Sequence, residues 1–107
     1  MSEQKKSRRE ILEEFVARKP GDAFSRYGLA LECMNAGDAG AANQHFRALI
    51  ERNAEYVPAY LMYAQLLVRE SRGEEARAIL SSGIAAATQK GDQHARTEME
   101  ALLAEIQ

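Results

Sequence analysis

Residues 35–49 read NAGDAGAANQHFRAL, and residues 69–83 read RESRGEEARAILSSG. In both, a turn-like run leads into a helix-forming segment, then an alanine, then a large apolar residue four places on. The shift between them is thirty-four residues, and it holds along the chain. Leu29 meets Tyr63, Ala30 meets Ala64, Cys33 meets Leu67, Ala42 meets Ala76, Phe46 meets Leu80, and Ile50 meets Ile84. One step back takes Phe46 to Leu12, Leu49 to Phe15 and Ile50 to Val16, so the first helix matches the second half of the unit. An alanine where helices cross lets backbones approach, and a bulky residue one turn later fills the space beside it. Repetition of a helix pair at this period marks a solenoid, in which each unit buries its apolar face against the next.

Punctuation divides the chain into six helical segments. Ser7 and Glu10 stand at capping-box spacing before a helix that stops at Pro20-Gly21, and residues 3–6 could extend it upstream. Asp22 caps the next segment, which stops at 36–38, and Asp38 caps the third. Pro58 sits where a first-turn proline is tolerated. Ser71-Arg72-Gly73 breaks the chain before the fifth segment, and Gly91-Asp92 before the sixth. No segment alternates with the period of two that a strand requires, so the expected class is all-α.

The helices differ in how many faces are apolar. The third carries one stripe, Ala42, Phe46, Leu49 and Ile50. The fifth also carries one, Ala76, Ile79, Leu80, Gly83, Ile84 and Ala87. The second has two: Leu29, Ala30 and Cys33 on one face, and Phe24, Tyr27, Leu31 and Met34 on another. The fourth repeats this, with Tyr60, Tyr63, Ala64 and Leu67 against Leu61 and Val68. A helix apolar on two sides is packed on both or offers one side to something else. Gly83, in mid-helix at a cost of about 1 kcal/mol, is expected to admit the sixth helix at close range and to seal that end against stacking.

On Leu29, Ala30, Gly37, Ala42 and Phe46 in the first copy and Tyr60, Ala64, Ala76 and Leu80 in the second, the chain resembles the tetratricopeptide repeat (TPR) family. The resemblance covers residues 23–88 directly. It implies a right-handed α-solenoid of antiparallel helix pairs, six helices in one domain. Residues 1–19 would form an N-terminal helix, 22–54 the first repeat, 56–90 the second, and 92–107 a capping helix. It further implies a protein-binding module whose concave groove is lined by the first helix of each pair. By position that groove holds Phe24, Tyr27, Leu31, Met34 and Asn35, then Leu61, Met62, Gln65, Val68 and Arg69. The family's carboxylate-gripping mode does not carry over. Tyr27, Leu31 and Met62 stand at the corresponding places, and none can give the charge-assisted hydrogen bond of a lysine. An apolar or amphipathic segment is the ligand expected, docked as a helix or extended. The alternative is a self-associating structural module whose stripe is covered by a second copy. Association entropy and side-chain ordering remove most of what such burial gains, so a monomer at micromolar concentration is expected, associating weakly when concentrated.

Composition narrows the remaining chemistry. In 107 residues there are 14 basic and 16 acidic side chains, a net charge of −2, which argues against general nucleic-acid affinity. The basic cluster Lys5, Lys6, Arg8 and Arg9 reads as a solvated helix start, with docking on an acidic partner as its rival. Cys33 excludes an internal disulfide and lies on the core stripe, where a thiol behaves as a small hydrophobe. His45 and His94 have no second ligand at helical spacing, so no metal site is expected, and His45 is read as lying on an outer helix face. GDAGAAN at 37–43 lacks the Lys-Ser/Thr of a phosphate loop. No catalytic constellation emerges, and neither an enzyme nor a cofactor is expected. Apolar runs are only a few residues long and no signal core follows the charged opening, so the expectation is a cytoplasmic protein without a membrane span.

Overall fold

The computed structural model describes residues 5–107 and holds six helices among them: α1 (Arg8–Arg18), α2 (Ala23–Asn35), α3 (Ala39–Arg52), α4 (Val57–Arg69), α5 (Gly73–Lys90) and α6 (Gln93–Ile106). No strand occurs among the described residues. Of the upstream extension expected for the first helix, residues 3 and 4 lie outside the described residues. Lys5 and Lys6 are not helical, because the chain enters the helix only after Ser7. Ser7 closes a full capping box: its Oγ accepts from the Glu10 N–H at 3.1 Å, and its own N–H donates to Glu10 Oε1 at 2.8 Å.

Asp22, Asp38 and Asp92 cap α2, α3 and α6, accepting from the N–H groups of Ser25, Ala41 and Ala95 at 3.0, 3.2 and 3.1 Å. The second copy has lost both of its caps. Tyr56 stands where the first copy has Asp22, and Arg72 where it has Asp38, and neither gives a side-chain cap. Pro58, with its fixed φ, helps start α4. At α5, Arg72 instead forks onto Glu75 with two contacts of 2.7 Å.

The helix ends repeat as faithfully as the stripes. The Gly37 N–H donates to the Met34 carbonyl at 3.1 Å, and the Asp38 N–H to that of Cys33 at 2.9 Å, the paired bonds of a Schellman turn. Thirty-four residues on, Ser71 donates to Val68 at 3.0 Å and Arg72 to Leu67 at 2.8 Å. Such a turn needs a left-handed residue. Gly37 supplies it with φ +80°, and Ser71 is forced into it with φ +61°.

Each helix packs on its chain neighbour, and α2, α4 and α6 also meet along one side, giving an elongated solenoid of 54 × 28 × 20 Å. Ala30, Ala64, Ala42 and Ala76 are completely buried, together with Phe46, Leu49, Leu67, Leu80 and Met99. Phe46 stacks on Tyr63 with centroids 5.5 Å apart and rings 14° from parallel, and the Tyr63 hydroxyl donates to Asn43 Oδ1 at 2.7 Å. That bond satisfies the one polar atom the stack carries inward. Gly83 is buried between two helices. A Cβ on it would stand 2.5 Å from Tyr60 Cβ on α4 and 2.6 Å from Met99 Sδ on α6. The close approach expected of the sixth helix is there, and α4 shares it.

Candidate protein-binding groove

α2 and α4 run side by side with their second apolar stripes on the same side of the solenoid, and α6 follows in line. Tyr27, Leu31, Leu61, Met62 and Val68 are half-buried there, Phe24, Gln65 and Arg69 are exposed, and Ala30, Cys33, Ala64 and Leu67 behind them have no exposed surface. Asn35 is exposed at the end of α2. Met34 departs from the expected set. It is buried and belongs to the core, because an unbranched thioether can bend from the edge of the stripe into the space behind it.

A hollow of about 240 Å³ lies where the three helices meet, lined by Tyr27, Val57, Pro58, Leu61, Met62, Asp92, Ala95 and Glu98. Tyr56, at the start of α4, closes its wall by packing on Tyr27 with ring centroids 5.5 Å apart. Burial pushes both phenols above their ordinary value, so the two hydroxyls stay protonated over the physiological range. Asp92 and Glu98 bring acid to this end of an otherwise apolar surface. Asp92 is engaged as the α6 cap, and Glu98 stands 3.4 Å from His94 in the open. Asp92 and Glu98 line the hollow and Tyr56 packs beside it, and sequence reasoning missed all three, since they lie outside the doubled stripes. On the opposite side, a larger hollow of about 370 Å³ between α3 and α5 has three charged lining residues, Arg47, Glu51 and Glu75.

The other candidate residues are accounted for by packing. Cys33 is buried, and burial pushes its thiol up, away from the thiolate a nucleophile needs. His45 is half-buried rather than on an outer face, and burial, then the nearby Arg26, holds its imidazole below the ordinary value. Among the described residues no three His, Cys, Asp or Glu side chains gather as metal ligands would, and no helix is long and apolar enough to cross a membrane. In the basic cluster, Lys6 pairs with Glu14 at 2.6 Å and Arg8 with Glu32 at 3.5 Å. Arg9 bridges Glu13 at 3.2 Å and Asp38 at 3.0 Å, tying α1 to the turn before α3. Most of that charge is spent within the fold.

Comparison with known proteins agrees with this architecture. The family model described as tetratricopeptide repeat matches residues 34–106. A TPR repeat-containing protein of Pseudomonas aeruginosa is 29% identical over 99 residues, which is 91% of this chain and 92% of that one. The solution structure of a tetratricopeptide repeat domain protein from Salinibacter ruber superposes with a TM-score of 0.79 at 29% identity, covering 83% of this chain and 90% of that one. The Yersinia enterocolitica type III secretion translocator chaperone SycD has the same fold, with a TM-score of 0.84 at 14% identity, over 92% of this chain and 68% of its own. With two helix pairs in register, a solitary second-half helix before them and a first-half helix after, this chain belongs to the tetratricopeptide repeat family.

Proposed function

We propose that this protein is a non-catalytic adaptor that binds an apolar or amphipathic protein segment in its concave groove. Phe24, Tyr27, Leu31, Leu61, Met62, Gln65, Val68 and Arg69 form the contact surface. One observation carries the reading: the first helix of each pair has a second apolar stripe, and among the described residues no helix packs over the side where the two stripes join. A surface of this kind, apolar at its centre with Gln65 and Arg69 at the edge, has the make-up of a binding site rather than of ordinary solvated helix. The hollow beside Tyr27 and Leu61 is the place for an anchoring side chain, with the remaining contacts excluding water around it. The buried, protonated thiol of Cys33 suits a reducing compartment such as the cytoplasm.

Selection from a displayed library of random peptides tests this. Recovered sequences should share apolar residues at helical or alternating spacing, and Leu31→Glu/Leu61→Glu should lose them while keeping its helical circular dichroism. Peptides that bind the variant as well as the parent would remove the groove from consideration.

A further inference from the structure

Three large apolar side chains remain exposed among the described residues: Ile11 at 54%, Phe15 at 37% and Phe24 at 75%. All three lie in the first two helices, and the repeat register explains the exposure of the first two. Phe15 occupies the position of Leu49 and Gly83, which are buried in α3 and α5. Gly83 shows what that position touches: Tyr60 on the first-half helix before it and Met99 on the one after. Ile11 occupies the position of Ile79, which shares a hollow with Tyr63 of the first-half helix preceding α5. Phe24 occupies the position of Pro58, which is exposed in its own repeat, so Phe24 belongs to the groove side and not to this end. Before α1 no first-half helix exists among the described residues. Ile11 and Phe15 therefore outline the footprint of one missing helix.

The charges around this footprint say what can fill it. Arg8 and Arg18 fall on the same stripe of α1 as Ile11 and Phe15. Arg8 is held only loosely by Glu32, at 3.5 Å, and Arg18 pairs with no acid among the described residues. A second copy is a poor occupant either way round. End against end, the two-fold would set this basic rim against itself. Head to tail, the apolar stripe would meet the outer face of α6, where Arg96 and Glu100 pair at 3.2 Å between exposed Thr97, Ala101 and Ala104. We propose that the N-terminal end is a second docking surface, separate from the concave groove, that accepts an amphipathic helix of another protein with acidic residues flanking its apolar face. The helix would sit where a first-half helix would precede α1, covering Ile11 and Phe15, with its acids toward Arg8 and Arg18.

The test uses two synthetic peptides, each an amphipathic helix with a leucine stripe, one flanked by glutamates and its isomer by lysines. Binding is followed by fluorescence anisotropy on the full chain carrying Leu31→Glu/Leu61→Glu, which closes the groove to the probe, with light scattering run alongside. The glutamate peptide should bind at least about tenfold more tightly than the lysine isomer. Phe15→Glu should weaken it by about tenfold, as expected for a central apolar contact. Arg18→Glu, on an exposed side chain, should narrow the preference between isomers. Equal binding of both isomers would overturn the proposal, as would binding that survives Phe15→Glu. So would a dimer in light scattering that Phe15→Glu returns to monomer, since a second copy would then own the surface.

Discussion

Replacing Gly83 by alanine sets two effects of opposite sign against each other. Alanine is favoured over glycine inside a helix by about 1 kcal/mol, so α5 alone would gain. The packing opposes it. The new methyl would lie 2.5 Å from Tyr60 Cβ, 2.9 Å from Tyr60 Cγ and 2.6 Å from Met99 Sδ. The sulfur can move, because methionine has spare rotamers. Tyr60 Cβ cannot move without its backbone, and its ring is held in addition by the hydroxyl, which donates to the Ala54 carbonyl at 2.5 Å. The helices α4 and α5 must therefore separate. Overpacking of a filled core costs about 1–3 kcal/mol, and at contacts this short the upper part of that range applies. Net destabilisation of about 1–2 kcal/mol is expected, a fall in Tm of roughly 4–16 °C at 4–8 °C per kcal/mol for a domain near this size. Urea melts of Gly83→Ala measure it, with Ala85→Gly on the exposed face of the same helix reporting the propensity part alone. Met99→Ala added to Gly83→Ala should relieve little, because Tyr60 remains. A Gly83→Ala protein as stable as the parent would mean that propensity outweighs packing and that α5 does not need glycine to meet its neighbours.

Ser71→Gly should stabilise by about 0.5–1 kcal/mol, because a left-handed serine costs about 1–2 kcal/mol and glycine returns part of that through its freer unfolded chain; denaturant melts should show the midpoint rising. Leu80→Ala should destabilise by about 2–5 kcal/mol in the same melts, the range for emptying a fully buried leucine site. Because burial lowers the His45 pKa, the unfolded chain binds its proton more readily. The contribution of His45 is then complete above the ordinary value of 6.5 and is lost as pH falls through the lower folded value, so His45→Gln should flatten the stability profile just below pH 6.5. Asp22 and Asp38, lowered by their cap and side-chain hydrogen bonds, add their losses only at more acid pH, below 3.8. Light scattering should return a monomer at micromolar concentration; a constant dimer mass abolished by Leu61→Glu would place a second copy in the groove.

Most of the fold was legible because a repeat states each contact more than once. Ala42 and Ala76, Phe46 and Leu80, and Leu29 and Tyr63 are equivalent in sequence and equivalently buried. Caps were legible where the residue itself makes the bond, as at Asp22, Asp38 and Asp92, whereas the Arg72–Glu75 fork is one of several pairings that a charged helix start allows. The same register held two signals that went unread. Ser71 stands where Gly37 stands, which announces a left-handed serine. His45 stands between Ile11 and Ile79 in an apolar register position, which places it half inside rather than on an outer face.

The site was harder to read than the fold because periodicity marks a face, whereas the number of neighbours decides whether that face is covered. Phe15, Leu49 and Gly83 occupy one register position. Leu49 and Gly83 are buried because each lies between two first-half helices, and Phe15 is 37% exposed because only α2 follows it and no such helix precedes it among the described residues. The same reasoning separates the stripes of α2 and α4. Among the described residues no helix lies over their inner stripes, while α3 and α5 cover the other stripes. Exposure in a solenoid is thus set by position along the array as much as by residue type. At its ends, apolar side chains that the sequence pattern marks as core are left exposed, as Ile11 and Phe15 are here.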